Sequence, residues 1–398
     1  MNRGDWVTTR LGRIAFRRRR FLLLLALTAA GFAPAPVRAD AVVQSMPKLV
    51  ATQVGADQTT LPSLKLVSDL QAPGPVSGVI WSSDGSKLAA YSADGGRAGI
   101  LGIVYLADPN SSLIMIWNAD GTVFRELRRP RPFIETRETF AFAAGDQQIA
   151  APPPLDSNDL ALSIFDIATG VVVHDIPSNR PNRDRVTNGA KILVASPDQS
   201  ILAVAFGDKD PQPVALYSTK NWKKLGDLPD GPKDFGEHAL AFSRDGKFLG
   251  VCQDGGVVLI YDVSSRKVVQ RINAFPDTYG GDSVTFSPDG SIIAVGSPAA
   301  GAGDENPVRL FNTKDASPVA VYPEPAHWIK TLDWSPDTRV LAFITDHRVL
   351  HLWDPFQPKT TERRTDLDRD SDSLAFSPDG RKLAVGVGRS IKVFSITK

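Results

Sequence analysis

The sequence predicts an all-β chain: a seven-bladed β-propeller of four-stranded antiparallel blades, its ring closed by an N-terminal strand that completes the last blade. Three observations predict it. A hairpin turn of the type Ser-Pro-Asp-Gly recurs seven times, an apolar strand ending in an aromatic residue follows each turn, and a strand-like segment precedes the first repeat.

The turn is clearest in Val284-Thr285-Phe286-Ser287-Pro288-Asp289-Gly290-Ser291-Ile292 and in Leu374-Ala375-Phe376-Ser377-Pro378-Asp379-Gly380-Arg381-Lys382-Leu383. Proline presets φ near −65° at the second turn position, and glycine supplies the positive φ that closes a short hairpin loop. Each turn therefore joins two antiparallel strands. Copies or degenerate equivalents stand at Asp84, Asp146, Asp198, Asp245, Asp289, Asp337 and Asp379, spaced by 42 to 62 residues.

Every copy leads to a third strand ending in an aromatic motif: Trp117-Asn118, Phe165-Asp166, Tyr217-Ser218, Tyr261-Asp262, Phe311-Asn312, Trp353-Asp354 and Phe394-Ser395. A fourth strand follows after a short polar turn, as in Lys267 to Ile272 or Val171 to Ile176. Four strands per repeat at this period read as one propeller blade. The last repeat reaches Lys398 just after its third strand, and the segment Ser63 to Leu70 has the composition of the fourth. Pairing the two removes an open edge and ties the ring shut.

A hairpin built on Ser-Pro-Asp-Gly followed by an apolar strand closed by Trp353-Asp354 resembles the WD40-repeat family, over roughly residues 63 to 398. The resemblance implies a divergent, exported WD40-like propeller, since Trp353-Asp354 is the one copy of the eponymous pair. It also implies a hydrogen-bonded tetrad within a blade, for which His327, Thr345, Asp346 and Trp353 are the candidates. Asp346 lies one residue further from the tryptophan than the family spacing usually has it. Most relatives of this type hold proteins or peptides, so the resemblance implies an interaction scaffold. The alternative is a propeller enzyme or cofactor binder of the quinoprotein or lactonase kind.

The first forty residues differ from the rest. Arg17, Arg18, Arg19 and Arg20 run into the apolar stretch Phe21 to Ala33, Pro34 and Pro36 follow, and Val37-Arg38-Ala39 fits a small-residue cleavage site. Thirteen helical residues span about 20 Å, short of the roughly 30 Å hydrocarbon core. A cleaved signal peptide over 1–39 is expected, with a linker over 40–62, the propeller over 63–398, and no stable membrane anchor after cleavage. Arg18-Arg19-Arg20-Phe21-Leu22 also resembles a twin-arginine signal, and the apolar run suits the general secretory route as well. The expected location is the periplasm or the exterior.

Cleavage removes eight arginines and one aspartate, taking the formal charge from +1 to −6. A mildly acidic domain lacks the basic surface that phosphate neutralisation requires, so no nucleic-acid partner is expected. Cys252 is the sole cysteine, which excludes an internal disulfide, a CxxC pair and a CxxCH haem attachment. Its place in the strand Phe248 to Cys252 makes it a core residue.

No motif announces catalysis: GxSxG, HExxH, a phosphate-binding loop and a strand-to-helix GxGxxG are all missing from the sequence. His347 and His351, read on a strand from Arg348 to Trp353, share a sheet face about 13 Å apart, too far for one metal. Asp368, Asp370 and Asp372 resemble the start of a calcium loop, but Ser373 replaces the required glycine and an apolar strand follows at once, so a solvated acidic loop is expected. Gly301-Ala302-Gly303-Asp304 reads as a flexible insertion. No catalytic residue, metal or cofactor is predicted.

The turns joining first to second and third to fourth strands are short and share one end of the ring. The opposite end carries long, variable segments: 93–112, 152–159, 178–189, 207–213 and 297–307. Rigid scaffolds place recognition on such loops, which makes this long-loop face the candidate binding face for a protein or peptide. Arg128, Arg129 and Arg131, read as lying between the first two blades, and Arg180, Arg183 and Arg185, between the next two, are its candidate residues. Together they suit an acidic partner, partly offset by Glu135, Glu138 and Asp184.

Overall fold

In the computed structural model the described residues form 28 strands, paired as seven antiparallel four-stranded sheets, with no α-helix among them. They are residues 61–92, 112–129, 140–152, 160–177, 190–206, 214–229, 237–253, 256–275, 283–297, 307–323, 328–337, 340–357 and 362–397. The expected signal peptide lies outside them, as do all but two residues of the expected linker.

Strand β1 (Ser63–Gln71) comes first and belongs to the last blade. Blade 1 is β2 (Val76–Trp81), β3 (Lys87–Ser92), β4 (Ser112–Asn118) and β5 (Val123–Arg129). Blade 2 is β6 (Ala141–Ala143), β7 (Gln148–Ala151), β8 (Leu160–Asp166) and β9 (Val172–Pro177). Blade 3 is β10 (Ala190–Ala195), β11 (Ile201–Phe206), β12 (Val214–Ser218) and β13 (Lys224–Asp227). Blade 4 is β14 (Glu237–Phe242), β15 (Phe248–Gln253), β16 (Val257–Asp262) and β17 (Lys267–Asn273). Blade 5 is β18 (Ser283–Phe286), β19 (Ile292–Gly296), β20 (Val308–Asn312) and β21 (Pro318–Val321). Blade 6 is β22 (Ile329–Trp334), β23 (Leu341–Thr345), β24 (Val349–Trp353) and β25 (Glu362–Asp366). Blade 7 is β26 (Ser373–Phe376), β27 (Lys382–Val387) and β28 (Ser390–Thr397), completed on the outside by β1.

Seven apolar clusters hold the ring together, one between each pair of neighbouring blades. The aromatic residue ending each third strand fills the cluster shared with the preceding blade: Trp117, Phe165, Tyr217, Tyr261, Phe311, Trp353 and Phe394 are all buried there. Burial of one such side chain contributes on the order of 2–3 kcal/mol, so the repeated aromatic is the sequence mark of a repeated interface. Cys252 is fully buried in the cluster between blades 4 and 5, as expected of a core residue.

Closure follows the predicted pairing. β1 runs antiparallel to β28 from Ser63 opposite Thr397 to Gln71 opposite Ser390, with a bulge between Leu66 and Ser68. Leu61, just ahead of β1, is buried in the cluster between blades 6 and 7. The first strand of blade 1 is also tied to blade 7: Trp81 Nε1 donates to the Ala375 carbonyl at 3.1 Å and Val76 N to the Gly388 carbonyl at 2.8 Å.

Three details correct the sequence reading. In blade 2 the pairs Phe142–Ile149 and Ala143–Gln148 put Asp146, at φ +61°, in the position glycine holds elsewhere, so it is not the turn's aspartate. Arg128 and Arg129 lie in β5, opposite Leu113 and Ser112, rather than in the connection after it, because strand pairing extends through them. His347 sits in the turn before β24 instead of on the strand. It is exposed whereas His351 is buried, so the two histidines do not share a face.

Candidate binding face

The two ends of the ring differ in how their polar groups are satisfied. At the short-turn end, six of the first turns repeat one hydrogen-bond pattern. The serine hydroxyl donates to the turn aspartate at 2.5–2.7 Å, in the pairs Ser82–Asp84, Ser196–Asp198, Ser243–Asp245, Ser287–Asp289, Ser335–Asp337 and Ser377–Asp379. The same serine oxygen accepts the amide five residues on at 2.8–3.0 Å. The Ser82 and Ser196 hydroxyls hold the Asp84 and Asp198 carboxyls below the usual carboxylate range.

Neighbouring turns are joined as well. The glycine of one packs on the proline of the preceding blade, Gly246 on Pro197, Gly380 on Pro336 and, across the seam, Gly85 on Pro378. Blade 2 substitutes a polar bridge. Asp146 accepts Ser83 N at 3.0 Å and Ser83 Oγ at 2.6 Å from blade 1, and takes Gln199 Nε2 from blade 3. Gln199 Oε1 accepts Asp146 N at 2.6 Å. Gln199 itself occupies a glycine position at φ +56°. The serines and aspartates of this end are thus engaged in holding turns together, which leaves few of them to receive a partner.

At the long-loop end the described residues present a different surface. Trp328, at the start of blade 6, is 38% exposed, with Lys330 Nζ 4.4 Å from its ring centroid. Its carbonyl accepts Asp346 N at 3.0 Å, which fixes the neighbouring turn. The same end carries three ion pairs: Lys330–Asp372 at 3.3 Å, Arg348–Asp370 at 2.7 Å and Lys392–Asp368 at 2.9 Å. The three aspartates read as an acidic loop therefore point to three different cations. The Lys392 ammonium keeps Asp368 below the usual carboxylate range. Among the described residues no group of three or more His, Cys, Asp or Glu side chains gathers about one point.

Of the candidate arginines, Arg128 is 75% exposed at its side chain and pairs with Glu126 at 3.2 Å. Arg129 is placed as a strand residue only, and Arg131, Arg180, Arg183 and Arg185 lie outside the described residues. Of the tetrad candidates, His327 also lies outside them. Thr345 is buried at the long-loop end of β23, and Asp346 is exposed in the turn beyond it. Trp353 stands opposite Leu341, four residues down the ladder, about 13 Å from Thr345 along the strand. In blade 6 the sequence did not reveal a buried aromatic group. Phe343 stacks on His351 at 4.6 Å and Tyr322 meets Phe343 edge-on at 5.0 Å and Trp353 at 5.4 Å. Tyr322 comes from blade 5, and no spacing rule links it to β24.

No family model matches the chain. A stretch of 118 residues is 28% identical to WD repeat and SOCS box-containing protein 1 of Danio rerio, covering 29% of this chain and 26% of that protein's length. Seven four-stranded blades, Ser-Pro-Asp-Gly hairpins, a strand closed by Trp353-Asp354 and this similarity define a WD40-like β-propeller.

Proposed function

We propose that this propeller is an exported scaffold that holds a protein or peptide on its long-loop face. The observation that carries the reading is Trp328. A large aromatic ring, partly open to solvent and capped by the Lys330 ammonium, is the composition of an interface hot spot, whereas the opposite end spends its polar groups on its own turns. The exposed Arg128 and the further arginines of the segments 130–139 and 178–189 add positive charge suited to an acidic partner.

The test is quantitative capture of exported proteins on the mature chain, followed by affinity measurement. Trp328→Ala is expected to weaken a bound partner by about 30-fold or more, the equivalent of a hot spot of about 2 kcal/mol. Reversing Arg128, Arg131, Arg183 and Arg185 to Glu should leave folding intact and reduce both the affinity and its salt dependence. Unchanged affinity in both folded variants refutes the reading.

Export has its own check. N-terminal sequencing of the mature protein should begin at or within a few residues of Asp40, and a chain recovered with Met1 intact overturns it.

A further inference from the structure

The backbone that carries Trp328 is pinned on both sides of the ring's attachment. The Trp328 carbonyl accepts Asp346 N at 3.0 Å, and Ile329 N donates to the Ser297 carbonyl, just beyond β19 in blade 5, at 3.0 Å. Ile329 itself is fully buried, and a methyl group placed on Gly296 would stand 2.7 Å from its Cγ2, so blades 5 and 6 close tightly on this residue. Its neighbour Trp328 turns the other way, partly open to solvent. A side chain so placed has more rotamers within reach than the buried tryptophans have, and a fixed main chain does not choose among them.

Lys330 supplies a contact that does. Residues 328 and 330 stand two apart on extended chain, which puts both side chains on one side of it. Lys330 Nζ lies 4.4 Å from the Trp328 ring centroid and 3.3 Å from Asp372 Oδ1, the residue just ahead of β26. A single ammonium therefore joins an aromatic ring of blade 6 to a carboxylate of blade 7. An exposed ion pair or an exposed cation–π contact alone is too weak to hold a lysine against its rotamer entropy. Here both act on one group, and the Lys330 side chain is only 23% exposed, so the ammonium is partly withdrawn from water and both attractions strengthen.

We propose, resting on the reading of Trp328 as the docking ring, that Lys330 is a positioning residue of the binding face: anchored by Asp372 of blade 7, it holds the ring in the orientation that meets a partner. A ring fixed before contact spares binding the cost of ordering it. The same arrangement makes the readiness of the face depend on an ion pair between two blades, so salt that screens the pair loosens the ring.

The test follows the ring by ¹⁹F NMR of the purified chain carrying 5-fluorotryptophan in place of tryptophan. The Trp328 resonance is assigned by its loss in Trp328→Phe, and the resonances of the buried Trp117, Trp334 and Trp353 report the fold. Lys330→Met keeps the aliphatic stem and removes the charge. It is expected to move the Trp328 resonance toward that of free 5-fluorotryptophan and leave the buried three in place, whereas Lys330→Arg, which can keep both contacts, should hold it near the wild-type position. Asp372→Asn, a change of one atom beside the ammonium, should move it the same way by less, and should add nothing on the Lys330→Met background. Raising sodium chloride to about 0.5 M should shift the wild type and spare Lys330→Met. A Trp328 resonance unmoved in Lys330→Met overturns the proposal, and so does an equal shift in Lys330→Arg. If Lys330→Met disturbs the buried resonances, Asp372→Asn decides: no shift in that variant, or a shift that persists without Lys330, overturns it as well. The spectra are recorded without a partner, so their outcome is independent of whether Trp328→Ala weakens one.

Discussion

Removal of residues 40–71 is expected to abolish cooperative folding of the propeller at ambient temperature. The loss falls on one blade but acts on the ring. Without β1, the amides and carbonyls of Ser390 to Thr397 that face it become an open edge, and the bulged ladder from Ser63 to Gln71 disappears. Leu61 goes with it, leaving a void beside Leu352, Leu383 and Phe394 in the cluster between blades 6 and 7. Leu61→Ala alone should cost about 2–4 kcal/mol, the usual range for emptying a buried leucine site. The whole strand should cost more than about 5 kcal/mol, comparable with the total stability of many domains. Urea denaturation followed by tryptophan fluorescence measures the first, and light scattering during refolding measures the second. Lys65→Ala, on an exposed side chain of the same strand, serves as control and should change stability by less than about 0.5 kcal/mol. A truncated chain with the urea midpoint of the chain that begins at residue 40 would show that β1 does not close the ring.

The fold was legible because its determinants are local and repeated. Ser377-Pro378-Asp379-Gly380 encodes its hairpin within four residues, and the aromatic at Phe394 encodes the interface that the hairpin's strands must fill. Even closure was readable, since Ser63 to Leu70 has the composition of an outer strand and pairs with β28 as such. Asp146 was misread for a physical reason: in Ala144-Gly145-Asp146 the order of glycine and aspartate is reversed, all three residues take a positive φ, and only strand pairing shows which of them stands at the glycine position of the other turns. Arg128 was misplaced because arginine at the end of an outer strand, exposed on its polar side, has the same composition as a loop.

The candidate sites were less legible because they depend on what surrounds a residue in space. Trp328 is one of several tryptophans in the sequence, and nothing in its neighbours separates an exposed ring from the buried ones at Trp117 and Trp353. The turns are a contrasting case: their aspartates find partners two residues away, so a local pattern is enough to predict that they are satisfied.

Gly256→Ala should be among the most destabilising single substitutions in the described chain, and the reason is space as much as conformation. Gly256 joins the second and third strands of blade 4 at φ +68°, and a methyl group placed on it would stand 2.1 Å from the Phe275 carbonyl oxygen and 2.6 Å from the carbonyl carbon. Backbone cannot swing aside as a side chain can. The Gly256 carbonyl accepts Ala274 N at 2.8 Å and Phe275 N at 3.1 Å, so relieving the clash breaks two hydrogen bonds. It also displaces Phe275, which is fully buried between blades 4 and 5 with the Arg309 guanidinium 4.6 Å from its ring centroid. The left-handed conformation alone costs an alanine about 1–2 kcal/mol; with the clash and lost bonds the expected total exceeds about 4 kcal/mol. Gly290→Ala separates the two contributions, because Gly290 has nearly the same φ, +72°, and nothing within 4 Å of the added carbon. It should cost only the conformational part. Urea denaturation of both variants decides the matter, and hydrogen exchange should show the extra loss of protection in Gly256→Ala concentrated at the ends of β16 and β17. Equal destabilisation of the two variants would mean that the connection yields freely and that Phe275 is not held by Gly256.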